Sequence, residues 1–153
     1  MPEQNFTLTS PAFEEGQRIP PRHTCEGEDL SPRLEWSRVP AETRSFALIV
    51  EDPDAPDGLF THWLLADIPA DQHALVEADT TTGVAGRNDF QNPGWGGPCP
   101  PPGHGDHRYY FRLLAMDTES IGLQPGASKE DFEKAVDGHI LAEARLMGRF
   151  KRG

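Results

Sequence analysis

PGWGGPCPPPGHGDHRYYFRLLAMD, residues 93–117, is a proline- and glycine-rich segment followed by an aromatic and aliphatic one. Its first thirteen residues contain five prolines and five glycines, a composition that fits neither a helix nor a regular strand. The segment that follows, from Arg108 to Met116, is aromatic and aliphatic and predicts a buried strand. Loops that lead into rigid strands often carry binding groups. His104, His107 and Tyr109 at this junction are therefore the first candidates for a functional site.

Apolar residues in alternating or continuous runs predict further strands, several of them stopped by a proline. The runs lie at Phe6–Thr9, Leu34–Ser37, Phe46–Glu51 and Thr61–Ile68, with a shorter one near Leu75–Glu77. The run that begins at Phe46 has no polar interruption, which is typical of a strand buried on both faces. Strands therefore account for most of the regular structure that we expect in the first two thirds of the chain.

Helical periodicity is confined to the C-terminal quarter. Ser128 is a suitable N-cap, and Phe132 and Val136 share one helical face behind an acidic first turn. A second apolar series predicts that this helical face continues to Gly148: Ile140, Leu141, Ala144 and Leu146. Phe150 is placed in a last edge strand.

Strands first and helices last predict a mainly β protein. We expect a single domain over residues 1–153, an antiparallel β-sandwich with a few short helices, mostly C-terminal. The 15 glycines and 15 prolines favour many turns and few long helices.

The charge of the chain argues against two classes of partner. Its formal net charge is −11, with no basic stripe, so we expect neither nucleic acid nor an anionic membrane surface as a ligand. The longest apolar run, Phe46 to Val50, has five residues and predicts no membrane span. Met1 to Ser10 does not resemble a signal peptide. With only two cysteines, Cys25 and Cys99, the default expectation is a reducing, cytoplasmic location.

Four side chains suggest an anion site. Asp52 follows a buried strand, His62 interrupts an apolar one, and His107 and Tyr109 are two residues apart, so that they face the same side of a strand. Imidazoles, a phenol and free loop amides are donors suited to phosphate or carboxylate oxygens. The amides would come from Gly97, Cys99 and Gly103–Gly105. Asp52 would then hold a histidine tautomer or the ammonium group of a ligand.

Each of these residues alone has a plainer interpretation. An aspartate before a proline is usually a turn former. A single histidine in an apolar strand is usually a core residue with a hydrogen-bond partner. The anion site is thus a hypothesis that depends on all four side chains meeting in space.

Five segments, taken together, resemble the phosphatidylethanolamine-binding protein family, in its bacterial and archaeal, Raf kinase inhibitor-like branch. They are IPPRHTCEGEDLSPRLEW (19–36), EDPDAP (51–56), THW (61–63), GPCPPPGHGDHRYYF (97–111) and DGHILAEARLMGRFKR (137–152). The resemblance implies an antiparallel β-sandwich whose larger sheet carries a small pocket at one end. The ligand-binding residues that it implies are Asp52, Asp54, His62, Cys99 through its backbone, His107 and Tyr109. It also implies a homodimer.

Cys99 departs from the better-studied eukaryotic members, which have glycine at this position. The substitution is expected to place a thiol near the anion site, where it is either reactive or merely buried.

Three functions follow from this site. The first is a regulatory binding module for a small anion, such as phosphate, a phosphorylated headgroup or a carboxylate, with no catalysis, cofactor or metal. The second is an inhibitor that docks on a kinase or protease through the rim of the pocket. The third is an enzyme, either a hydrolase that uses an Asp/His pair or a zinc protein that uses Cys99, His104 and His107. The enzyme is least favoured, because the chain has no G-x-S-x-G motif and the spacing matches no recurring zinc pattern.

Overall fold

Two antiparallel sheets of unequal size form the computed structural model, which describes residues 5–152. The smaller sheet has the order β1–β2–β5, with β1 at Thr7–Thr9, β2 at Leu34–Ser37 and β5 at Ala74–Leu75. The larger has the order β6–β4–β3–β7–β8, with β3 at Ser45–Asp52, β4 at Phe60–Pro69, β6 at Val84–Ala85, β7 at His107–Met116 and β8 at Ile140–Phe150. A 3-10 helix at Pro21–His23 and α1 at Lys129–Val136 complete the fold. Residues 1–4 and 153 of the expected domain lie outside the described residues.

Strand β3 lies at the centre of the larger sheet and is buried on both faces, as its unbroken apolar run predicted. Neighbouring residues of a strand point to opposite faces. Phe46 and Leu48 therefore pack in the core between the two sheets, whereas Ala47 and Ile49 pack on the other side with Phe132 of α1. The mainly β fold expected from the sequence is confirmed.

The predicted continuation of the helix beyond Gly138 is wrong. Helix α1 ends at Val136, and β8 then pairs with β7 from His107↔Phe150 to Met116↔Ile140. From Ala144 to Phe150 every second residue is buried, which is the period of a strand rather than of a helix. The sequence from Ala144 to Phe150 does largely alternate between apolar and other residues. Ile140 and Leu141 before it are both apolar but exposed, so the segment as a whole did not show the period of a strand.

Cys25 and Cys99 form a disulfide, with their Cα atoms 5.4 Å apart. The sequence left open whether the two cysteines meet, and the thiol expected at Cys99 near the anion site is not present, because Cys99 is bonded to Cys25. A zinc site that includes Cys99 is excluded for the same reason. The cytoplasmic location remains a prediction, without the support that reduced cysteines would have given it.

The antiparallel pairing of β3 with β4 and β7 brings three strand ends together. Asp52 at the end of β3 pairs with Phe60 at the start of β4, and Glu51 pairs with Tyr110 near the start of β7. Side chains from three distant parts of the sequence thus meet at one end of the larger sheet. Within residues 5–152, no helix has the length and apolar character needed to cross a membrane.

Candidate functional site

A cavity of about 440 Å³ opens at this end of the larger sheet. Five of the six predicted ligand-binding residues line it: Asp52, His62, Cys99, His107 and Tyr109. The other lining residues are Ala55–Phe60, Asp89, Phe90, Pro100 and Pro101. The cavity is therefore partly apolar, with its polar groups concentrated on the strand ends.

A chain of hydrogen bonds runs from Asp52 to the protein surface. Asp52 Oδ2 lies 2.7 Å from His107 Nδ1, and both side chains are almost fully buried. His107 Nε2 in turn lies 2.6 Å from Nδ1 of the exposed His104. Asp52 thus orients a histidine, which is one of the two roles that the sequence suggested for it.

Both ring nitrogens of His107 have partners in this arrangement. A carboxylate oxygen accepts, so Nδ1 of His107 donates to Asp52, and Nε2 of His107 shares a hydrogen with Nδ1 of His104. The sequence suggested that His107 donates directly to an anion. In this structure Nε2 of His107 is hydrogen-bonded to His104, so an anion that contacts this nitrogen directly would have to displace the exposed side chain of His104.

His62 is held by the backbone of the proline- and glycine-rich loop. Its Nδ1 lies 2.6 Å from the carbonyl oxygen of Gly96, and the amide of Gly96 donates to the carbonyl of His62. A carbonyl can only accept, so Nδ1 carries the proton. Burial lowers the pKa of His62 below its ordinary value, against the opposing attraction of nearby carboxylates.

Tyr109 is the buried phenol of the site. Its side chain is 1% exposed, and its hydroxyl has no hydrogen-bond partner among residues 5–152. Burial raises the pKa of Tyr109 well above its ordinary value, with further contributions from the charge of Asp52 and from the closeness of that carboxylate as an acceptor. The hydroxyl and the carboxylate nevertheless do not meet in the geometry of a hydrogen bond. The phenol is therefore protonated at physiological pH and is available as a hydrogen-bond donor.

Asp54 does not line the cavity, although the sequence placed it in the site. Its carboxylate accepts hydrogen bonds from the backbone and guanidinium N–H groups of Arg108 at 2.8–2.9 Å. The hydrogen bonds from Arg108 lower the pKa of Asp54 to about 2. Asp54 contributes to the site only indirectly, because its backbone amide donates to Asp52 Oδ1 at 2.7 Å.

Three of the loop amides proposed as anion donors are engaged elsewhere. The amide of Gly97 donates to Asp29 Oδ1 at 2.9 Å, that of Gly103 lies 3.3 Å from the carbonyl oxygen of Arg152, and that of His104 lies 3.1 Å from the carbonyl oxygen of Pro101. The predicted cradle of free amides is therefore wrong for these three residues. The proline-rich loop serves mainly as a wall.

The sequence did not lead us to predict the aromatic side chains that form the apolar part of the cavity. Phe60 and Phe90 have ring centroids 4.8 Å apart and both pack on the ring of His62. Phe60 was detectable, because it lies two residues before His62 and so shares its face of β4. Phe90 lies in a polar, glycine-punctuated segment with no periodicity that could reveal it.

The polar wall of the cavity consists mainly of carboxylates, imidazoles and one phenol. Within the described part of the chain, no three His, Cys, Asp or Glu side chains are arranged to hold a metal ion. Asp57 and Asp89 place two more carboxylates on the cavity wall, so its wall is rich in acidic groups. What the cavity offers a ligand is one phenolic donor, one imidazole and a half-apolar wall.

Nearly the whole chain is similar to known proteins. The family model described as phosphatidylethanolamine-binding protein matches residues 9–151. A UPF0098 protein of Aquifex aeolicus is 49% identical, covering 94% of this chain and 86% of the relative. One from Methanothermobacter thermautotrophicus is also 49% identical, covering 97% and 100%.

Two crystal structures have the same architecture. A phosphatidylethanolamine-binding protein homologue from Chlamydia trachomatis superimposes with a TM-score of 0.92 at 39% identity, covering 99% of this chain and 100% of that one. E. coli YbcL, described as a member of the mammalian family, gives 0.91 at 34% identity, covering 97% and 99%.

Proposed function

Because the chain belongs to the phosphatidylethanolamine-binding protein family, we propose that it binds a small anionic group in the cavity at the end of its larger sheet. Family membership indicates a binding protein. The ligand class that we propose is a phosphate, a phosphorylated headgroup or a carboxylate. The protein then acts as a regulatory binding module without a catalytic step.

The observation that carries the proposal is the hydroxyl of Tyr109. A buried polar group without a partner costs free energy, and this one belongs to a side chain that lines a cavity large enough for a ligand. An oxygen acceptor brought in by a ligand would satisfy it, in competition with the nearby carboxylate of Asp52. His62, whose ring centroid lies 5.2 Å from that of Tyr109, would contact the same ligand group.

The arrangement of the histidines supports binding rather than hydrolysis. A hydrolase that used the Asp52–His107 pair would need Nε2 of His107 free to take a proton from water or a nucleophile. In this structure Nε2 of His107 is hydrogen-bonded to His104. The Asp52–His107 pair is therefore explained by the orientation of the two histidine side chains, without a catalytic reaction.

A second candidate function is docking of a protein partner on the rim of the cavity. Leu59 and Phe90 line it and are 52% and 41% exposed, respectively. Exposed apolar side chains around a polar pocket are a common feature of interaction sites. This would fit an inhibitor of a kinase or protease that presents its pocket rim to the enzyme.

Isothermal titration calorimetry with inorganic phosphate and O-phosphorylethanolamine tests the proposal. Tyr109→Phe removes the hydroxyl and little else, and it should weaken binding at least about tenfold, since a hydrogen bond to a charged group contributes about 1.5–3 kcal/mol. Tyr110→Phe is the matched control, because Tyr110 does not line this cavity, and it should leave the affinity unchanged. Absence of binding, or equal weakening in both variants, would contradict the proposal.

A further inference from the structure

We propose that the cavity binds its ligand together with one proton, as an oxyacid group that still carries a hydroxyl, and that His62 is the residue that selects this form. The inference rests on the proposed function and deepens it. The ligand class becomes the phosphate monoanion (H₂PO₄⁻), a monoprotonated phosphate monoester or a carboxylic acid. Fully ionised anions such as sulfate are expected to bind poorly.

The first step is the hydrogen-bonding direction at His62. Its Nδ1 donates to the carbonyl of Gly96, so the neutral ring presents at Nε2 a lone pair that can only accept. No described residue donates a hydrogen bond to Nε2, and the side chain lines the cavity at 3% exposure. A ligand that meets Nε2 must therefore bring a proton, or His62 must take one from solvent.

The second step concerns the charges around His62. Asp52 from β3 and the loop residues Asp29 and Asp89 favour a charged imidazolium, whereas burial among aromatic rings opposes it and dominates. From β7, the neighbours are the hydroxyl of Tyr109 and the ring of His107, which Asp52 and His104 already engage. His62 is thus neutral before the ligand arrives.

The third step combines His62 with Tyr109. The protonated phenol of Tyr109 can donate to a ligand oxygen, and Nε2 of His62 can accept from a ligand hydroxyl. An acid group with one X–OH and one X=O oxygen satisfies both atoms at once. A fully ionised group would leave the lone pair of Nε2 facing an oxygen lone pair, which is repulsive and disfavours binding in a buried site.

The carboxylates of the cavity wall also favour binding of the protonated form of the ligand. Asp52, Asp57 and Asp89 line the cavity, and like charges at short range disfavour one another. A dianion is therefore expected to bind less well than the same group after it has taken up one proton. The proton comes from solvent, and no covalent bond to the protein forms.

The experiment measures proton uptake directly. O-phosphorylethanolamine, whose fully ionised phosphate group carries no hydroxyl, is titrated calorimetrically into the wild-type protein at about pH 8, where the monoprotonated form of this group is the minor species, in two buffers of different protonation enthalpy. We expect uptake close to one proton for each O-phosphorylethanolamine bound, and an affinity that falls about tenfold for each further pH unit. Sulfate should bind at least about tenfold more weakly than phosphate.

Two further measurements test whether Nε2 of His62 accepts from the protonated ligand. In ¹⁵N spectra of histidine-labelled wild-type protein, O-phosphorylethanolamine should move the Nε2 resonance of His62 away from that of an unprotonated nitrogen with no partner. His62→Asn keeps a donor for the Gly96 carbonyl and removes Nε2, so proton uptake should fall clearly below one. His139→Asn, a change at the opposite end of β7, is the control and should keep it.

The outcomes separate this inference from the proposed function. Binding of O-phosphorylethanolamine without proton uptake at about pH 8, uptake that stays close to one proton in His62→Asn, or an unchanged Nε2 resonance would overturn the inference alone. Absence of phosphate binding at every pH would overturn the proposed function and the inference with it. Should His62→Asn not fold, the wild-type calorimetry and the ¹⁵N spectrum decide the question without it.

Discussion

Asp52 and Asp54 are two residues apart, yet the structure gives them different roles. Asp52 is the last residue of β3 and points into the cavity, where it holds His107. The turn that begins at Pro53 directs Asp54 outwards to Arg108. A sequence motif assigns residues by spacing, and spacing determines direction only while a strand continues. For this reason Asp52 was predictable and Asp54 was not.

Asp54→Asn should leave phosphate affinity unchanged but reduce stability in a pH-dependent way. The pKa of Asp54 is lowered to about 2 in the folded protein, from 3.8. Its stabilising contribution is therefore present above about pH 4 and is lost as pH falls towards 2. Chemical denaturation should show wild type more stable than the variant at neutral pH and equal to it near pH 2. A stability difference that does not change with pH, or weaker phosphate binding, would contradict this assignment.

At the scale of elements, the strands were predictable wherever the apolar pattern was clear. The buried runs of β3, β4 and β7 correspond closely to the segments predicted for them. The error at β8 arose because exposed Ile140 and Leu141 imitate a helical face. The disulfide could not be derived at all, since its cysteines are 74 residues apart and only the folded chain brings them together.

Edge strand β8 packs on the segment before the 3-10 helix through Gly148. A Cβ atom at this position would lie 2.6 Å from side-chain atoms of both Phe13 and Ile19. Gly148→Ala should therefore cost about 1–3 kcal/mol of unfolding free energy, the usual range for overpacking a core. Arg145→Ala, which removes an exposed side chain of the same strand, is the control for thermal or chemical denaturation. A Gly148→Ala variant as stable as wild type would show that this contact is loose.

The disulfide joins the segment around the 3-10 helix to the cavity wall. Hydrogen bonds from Cys25 to the Pro98 carbonyl and from Gly97 to Asp29 reinforce the same connection. The Cys25→Ser/Cys99→Ser double variant should lose about 2–4 kcal/mol of stability, because it removes a crosslink that restricts the unfolded chain. Chemical denaturation of the variant, and of wild type with and without a dithiol reductant, measures this. Equal stability in all three samples would contradict a stabilising role.

At the scale of the whole molecule, an acidic protein presents a cavity that is itself rich in carboxylates. The net charge of −11 and the aspartates of the wall offer no general attraction to an anion. Recognition must then come from short-range hydrogen bonds, which is why the hydroxyl of Tyr109 and the tautomer of His62 are central to the account. The homodimer implied by the family remains a prediction, for which sedimentation equilibrium is the measurement.

A crystal structure of the wild-type protein grown with phosphate at mildly acidic pH shows whether Tyr109 and His62 bind the same anion. We predict a phosphate in the cavity with one oxygen about 2.7–3.2 Å from the hydroxyl of Tyr109 and another at the same distance from Nε2 of His62. A cavity that contains only water at saturating phosphate, or a phosphate bound elsewhere on the molecule, would contradict it.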